Sequence, residues 1–246
     1  MGKVIAVSSG KGGTGKTTSV AAISSCLAAL GYKTLCIDFD AGLKNLDLSL
    51  SMADFAVTDY MDVVAGRLSL KTACKESPQI PGLFFLAAPT VCNPDWYDIA
   101  ALKPLFEEAH EEFDYCLIDS PSGIGTGFRL AHSYADMSII VTAGETPAIR
   151  DAQQAATAVR EMGIKDLRLL VNRVLPKNFR VIATTIDDVI DMIGVRLLGV
   201  IPEDKYVFLA LHANTPLILY KKRLASYDYL DAARRITGED VPLRQR

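Results

Sequence analysis

Two lysines stand five residues apart in a run of glycines and hydroxyls, Ser8-Ser9-Gly10-Lys11-Gly12-Gly13-Thr14-Gly15-Lys16-Thr17-Thr18. Gly10, Gly15, Lys16 and Thr17 fit the spacing G-x-x-x-x-G-K-[ST]. In that spacing the glycines let backbone N–H groups converge on phosphate oxygens. Lys16 then reaches the outer phosphates, and the Thr17 hydroxyl ligates Mg²⁺. The apolar run Val4-Ile5-Ala6-Val7 comes before the loop and a helix-periodic stretch from Thr18 to Leu30 follows it. That puts the glycines at a strand-to-helix turn, where the helix start adds unsatisfied donors and a positive dipole end. A chance glycine-rich turn explains this combination poorly. Lys11 lies too early in the loop to share the geometry of Lys16, and a lone loop lysine is by default a solvated charge.

Three carboxylates complete the candidate chemistry. Asp38 and Asp40 follow the strand-like Thr34-Leu35-Cys36-Ile37-Asp38, and Asp119 ends Tyr115-Cys116-Leu117-Ile118-Asp119. An acidic pair at a strand end could orient Mg²⁺ through water and position an attacking water for in-line phosphoryl transfer. An aspartate closing an apolar strand is the Walker B arrangement and can hold a water on the metal. The plainer alternative is a capping or turn aspartate, common after strands.

The elements that must position these groups follow from periodicity. Ile23, Leu27 and Leu30 mark a buried helix face stopped by Gly31, and the strand ending at Asp38 completes a βαβ unit. Such a unit implies a parallel sheet with right-handed crossovers and ligands at the carboxyl ends of its strands. Further strands are expected at Leu83 to Ala88, Met137 to Val141, Leu167 to Val171 and Leu197 to Val200. Helices are expected at Thr58 to Ala65, Leu68 to Cys74, Ile99 to His110, Thr146 to about Met162 and Ala183 to Ile193, with Trp96 a packed aromatic. A closing helix from Arg223 to about Thr237 carries Leu224, Tyr227, Leu230 and Ile236 at core-like spacing. No composition break or repeat divides the chain, so the expectation is one α/β domain over 1–246, a doubly wound, mainly parallel sheet flanked by helices.

Composition narrows the classes. With 50% apolar and 22% charged residues the chain is neither disordered nor a membrane span, since no stretch approaches ~20 apolar residues. Cys26, Cys36, Cys74, Cys92 and Cys116 are odd in number and lack C-x-x-C spacing, which argues against zinc or iron–sulfur sites. Cys36 and Cys116 read as buried thiols in a reducing compartment. A net charge of −3 gives no footprint for non-specific nucleic-acid binding, so nucleic acid is not an expected partner. Met1-Gly2-Lys3-Val4 leads directly into the first strand, with no secretion signal ahead of it.

Lys11-Gly12-Gly13-Thr14-Gly15-Lys16-Thr17-Thr18 resembles the deviant Walker A motif K-G-G-x-G-K-T-T of the MinD/ParA ATPases, whose fold is a P-loop NTPase related to the nitrogenase iron protein. The resemblance implies that Lys11 reaches across a dimer interface to the other subunit's nucleotide. Residues 38–48, Asp38-Phe39-Asp40-Ala41-Gly42-Leu43-Lys44-Asn45-Leu46-Asp47-Leu48, are similar to the MinD switch I rather than to the D-x-D-P-Q-G-N of ParA proteins. By resemblance Asp40 positions the water and Asp38 is its neighbour in a metal site that also takes Thr17 and Asp119.

Asp119-Ser120-Pro121-Ser122-Gly123-Ile124 resembles switch II, with Gly125 where MinD proteins commonly carry Glu. Thr142 to Asp151 is similar to a further MinD segment, with Gly144-Glu145-Thr146-Pro147 altering its order of Pro and Glu. The resemblance puts Asn172 on the adenine with Arg173 beside it, and Ile201-Pro202-Glu203-Asp204, including Pro202 and Asp204, around the base. It implies an Mg²⁺-dependent ATPase that binds ATP/ADP, dimerises with ATP, hydrolyses slowly without an activator and meets a regulatory protein at the dimer surface. A cytoplasmic location is expected, with peripheral attachment to the inner membrane face left open: residues 238–246 have no apolar face for an interfacial helix. Alternatives are a flagellar-number regulator, ParA-type DNA segregation, a metabolic ATP-dependent enzyme of the same fold, or a scaffold.

Overall fold

Val4-Ile5-Ala6-Val7 shows no polar alternation, and a strand of that kind needs both faces covered. In the computed structural model β1 (Lys3–Ser8) is accordingly central, with β5 (Tyr115–Asp119) and β6 (Met137–Ala143) parallel on either side. Residues 1–41, 45–55, 57–90, 98–175, 185–220 and 224–244 are described. Expectations for Gly42, Leu43, Lys44, Cys92, Trp96, Ala183, Arg223, Gln245 and Arg246 fall outside them.

β2 (Thr34–Asp38), β3 (Lys75–Glu76), β4 (Leu83–Leu86), β7 (Asp166–Val174) and β8 (Arg196–Pro202) complete a sheet of order β3-β4-β2-β5-β1-β6-β7-β8. Every described pairing between these strands is parallel except β3 with β4. β3 is two residues long and offered no period to detect.

Alternate strand residues face opposite layers. Ile5, Val7, Cys36, Leu117 and Ile139 pack under α1 (Lys16–Ala29), together with the short α2 (Leu46–Ser49) and the closing α11 (Ala225–Ile236). Val4, Leu35, Ile37 and Cys116 face α3 (Tyr60–Val64), α4 (Leu70–Ala73), α5 (Lys103–Glu112) and α6 (Thr126–His132). Ile140, Leu169 and Val171 pack on α7 (Thr146–Glu161) and α8 (Ile186–Ile193). Two more helices, α9 (Lys205–His212) and α10 (Leu217–Tyr220), were not anticipated. Among the described residues no helix is long and apolar enough to cross a membrane.

Some expectations shift. The helix expected from Ile99 is a 3₁₀ turn, Ile99–Leu102, before α5, whose Pro104 suits a helix's first turn. Leu30 lies past the end of α1 as its C-cap and is exposed, and α1 itself is covered by both sheet and α11 rather than along one stripe. On α11 the buried face is Ala225, Tyr229, Ala232, Ala233 and Ile236, whereas Tyr227 and the preceding Leu224 are exposed. Alanines let α11 close on α1, with Tyr229 and Ile236 the large side chains on the same buried face.

Candidate functional site

Parallel register sets the depth of each functional residue. Asp119 pairs with both Val7 and Asp38, and Ala143 pairs with Asn172, so these groups meet at the carboxyl edge of the sheet. The phosphate loop turns there into α1. Gly15 adopts φ 87°, a left-handed conformation that a side chain would strain, and a Cβ on it would lie 2.2 Å from Asn172 Nδ2. Gly10 is needed for closeness instead: its Cβ would lie 2.2 Å from the backbone oxygen of Asp151 on α7.

The Lys16 ammonium is buried and donates to Asp119 Oδ1 at 2.7 Å, and the Thr17 hydroxyl also bonds that carboxylate. Burial pushes the Asp119 carboxyl up while Lys16 pulls it back. Asp38 does not line the cavity, and its Oδ1 accepts the Asp40 N–H at 2.8 Å. Burial first, then the charge of Asp119, push Asp38 up to about 7. Asp40 and Asp119 both line a cavity of ≈ 490 Å³ with Gly12, Gly13, Thr14, Gly15, Lys16, Thr17 and Thr18.

Asn172, Arg173, Pro202 and Asp204 line the same cavity. Asn172 Nδ2 donates to the Thr14 carbonyl at 2.9 Å. Arg173, with φ 57°, spans from Glu203 (2.8 Å) to the Gly13 carbonyl (3.0 Å). Asp204 spends its carboxylate on structure, accepting Tyr206 N–H at 2.9 Å to start α9 and Ala225 N–H at 3.2 Å. Gly10 and Lys11 do not line the cavity; the Lys11 ammonium is 3.9 Å from the exposed Glu145. In switch II, Gly123 N–H donates to the Ser9 carbonyl at 3.2 Å, and Ser122 joins the lining.

Sequence reasoning missed part of the lining. Val207, Phe208, Ala210 and Leu211 of α9, Leu217 of α10 and Tyr229 of α11 also line the cavity, as do Asn45 and Ser49. Apolar spacing in Val207, Ala210 and Leu211 was the available signal for α9.

The donors suit a magnesium nucleotide. Among the described residues no cluster of three or more His, Cys, Asp or Glu could hold a metal alone. A hydroxyl and two carboxylates are the partial set that Mg²⁺ takes when phosphates and waters supply the rest. Thr14 Oγ1 is buried with no hydrogen-bond partner among the described residues, a donor left over inside the loop.

A parallel sheet with a glycine loop, a buried lysine and a strand-end aspartate at its carboxyl edge defines a P-loop nucleotide-binding protein. The model of the CobQ/CobB/MinD/ParA nucleotide binding domain matches residues 5–217, and the chain belongs to that family. It is 37% identical to the septum site-determining protein MinD of Bacillus subtilis, covering 99% of this chain and 92% of that protein. The corresponding protein of Synechocystis is 34% identical, covering 98% and 92%. Among solved structures, the MinC:MinD cell division protein complex of Aquifex aeolicus aligns with TM-score 0.88 at 34% identity over 99% of this chain and 98% of that one. MinD of Pyrococcus horikoshii, complexed with Mg-ADP, aligns with TM-score 0.82 at 28% identity over 96% of each chain.

Proposed function

We propose that the chain is a MinD-type, Mg²⁺-dependent ATPase, an ATP-controlled dimerisation switch in placement of the bacterial division site, and that 1–246 act as one ATPase domain. Gly12 to Thr18 cradle the phosphates, with Gly10 setting the loop against α7, Lys11 serving the other subunit's nucleotide and Lys16 neutralising the charge that develops on transfer. Thr17, Asp38, Asp40 and Asp119 would hold Mg²⁺, which would supply charge neutralisation when bound, and Asp38 also fixes the Asp40 backbone. Asp40 positions the attacking water. Asn172, Arg173, Pro202 and Asp204 enclose the base. Hydrolysis is slow until a regulatory protein meets the dimer, and a regulator comparable to the MinC held by the Aquifex protein fits the reading. The protein works in the cytoplasm, and attachment at the inner face of the membrane is left open.

The observation that carries the switch is the place of Lys11. It lies outside its own cavity, in an exposed ion pair worth about 0–1 kcal/mol, and so gives up Glu145 at little cost. The mass in solution tests this in an Asp40→Ala background that prevents turnover. A dimer is expected with ATP·Mg²⁺ and a monomer with ADP·Mg²⁺, while adding Lys11→Ala keeps ATP binding and loses the dimer. A monomer with both nucleotides, or a dimer indifferent to Lys11→Ala, overturns the switch.

A further inference from the structure

Behind the phosphate loop lies a buried hydroxyl that the chemistry above does not use. Tyr229, on α11, is 1% exposed, and its oxygen lies 3.2 Å from Ser19 Oγ on α1 and 3.4 Å from Asn172 Oδ1 on β7. Both neighbours are already committed to the loop. Ser19 Oγ donates its single hydrogen to the Gly15 carbonyl at 2.8 Å, and Asn172 Nδ2 donates to the Thr14 carbonyl at 2.9 Å.

Hydrogen counting then fixes the direction. With its hydrogen on Gly15, Ser19 can only accept from Tyr229. With its amide nitrogen on a carbonyl, Asn172 turns its acceptor oxygen to the phenol. The Tyr229 hydroxyl is therefore shared between two side chains, each holding one of two consecutive loop carbonyls. Burial pushes the phenol's ionisation up, so it stays a donor.

We propose that Tyr229 is a positioning residue for the phosphate loop: its hydroxyl orients Ser19 and Asn172, which fix the Thr14 and Gly15 carbonyls and so aim the adjoining N–H groups at phosphate. An N–H is set by the peptide plane it shares with the preceding carbonyl. Holding the carbonyls of Thr14 and Gly15 thus orients the N–H groups of Gly15 and Lys16. A shared donor in a dry network steadies both bonds at once. Helix α11, distant in sequence, thereby takes part in phosphate binding without touching phosphate.

The inference rests on the nucleotide reading above, and calorimetry separates the two. Tyr229→Phe keeps the ring and removes only the hydroxyl. With Mg²⁺ present, its affinity for ADP and for inorganic pyrophosphate is expected to fall by the same factor, about five-fold, the scale of one hydrogen bond. Tyr227→Phe, on the exposed side of the same helix, binds both probes as the wild type does. Ser19→Ala removes one brace and weakens both probes too, which keeps the inference testable if Tyr229→Phe does not fold.

A loss for ADP alone would tie Tyr229 to the base and overturn the loop role. Unchanged affinity for both probes overturns it as well. A wild-type protein that binds neither probe refutes the ATPase reading itself.

Discussion

His132 is 1% exposed, with Nδ1 2.8 Å from the Phe128 carbonyl and Nε2 3.2 Å from Ser138 Oγ. A carbonyl only accepts, so Nδ1 carries the hydrogen and Nε2 takes one from serine: the neutral ring is fully satisfied. Burial pushes the imidazole down to about 4 from an ordinary 6.5. Between those values the unfolded chain binds a proton that the native ring refuses, so stability present above 6.5 is lost as pH falls through 4. The full loss is about 3 kcal/mol. Asp38 works the other way: the native carboxyl, raised to about 7, keeps a proton that the unfolded chain releases above its ordinary value near 3.8. Its contribution is therefore lost as pH rises through 7. Urea unfolding between pH 7 and pH 4 should show a flatter acid loss in His132→Gln than in the wild type, and a steeper one in Asp38→Asn. Equal slopes in wild type and His132→Gln would mean the ring titrates normally.

At the scale of elements, the loop and its strand were legible because a short motif fixes local chemistry without reference to the rest of the chain. Lys16 and Asp119, far apart in sequence, still announced themselves as a loop lysine and a strand-end aspartate. Packing partners did not. Nothing around Gly10 shows that α7 will press a backbone oxygen against it, and the alanine face of α11 looks weaker in sequence than Leu224 and Tyr227, which the structure leaves exposed. Gly10→Ala is expected to cost about 1–3 kcal/mol, because the added carbon meets rigid backbone at Asp151 and α7 or the loop must move. The shifted loop should also bind ADP more weakly. Gly12→Ala is the control for melting temperature alone, since a carbon there meets nothing within 4 Å of protein but Gly12 lines the cavity. Melting temperature and ADP affinity, measured together, test the pair; a neutral Gly10→Ala would mean α7 yields without cost.

At the scale of the whole molecule, the strand order with β5 between β2 and β1 was not legible, because pairing between distant strands leaves no mark in either one. The fastening of residues 240–244 was hidden for the same reason. Arg235 donates to the carbonyls of Leu198, Val241 and Pro242 at 2.9 to 3.0 Å. Arg244 grips the buried Asp231 at 2.6 and 3.1 Å and lies 5.0 Å over the Tyr227 ring. Removing Arg244 leaves that carboxylate without this cation. Breaking a fully buried pair costs about 3–5 kcal/mol, but Arg244 is 43% exposed and partly screened, so Arg244→Ala should cost about 1–2 kcal/mol. The strap need not reach the nucleotide site. Ala225, Tyr229, Ala232 and Ala233 seat α11 on the core by themselves, and Tyr229 stays behind the loop. Saturating ADP at about 100 times its Kd should therefore add the same ~2.7 kcal/mol to Arg244→Ala as to the wild type. A smaller increment in the variant would show that the strap also holds the phosphate loop in place through α11.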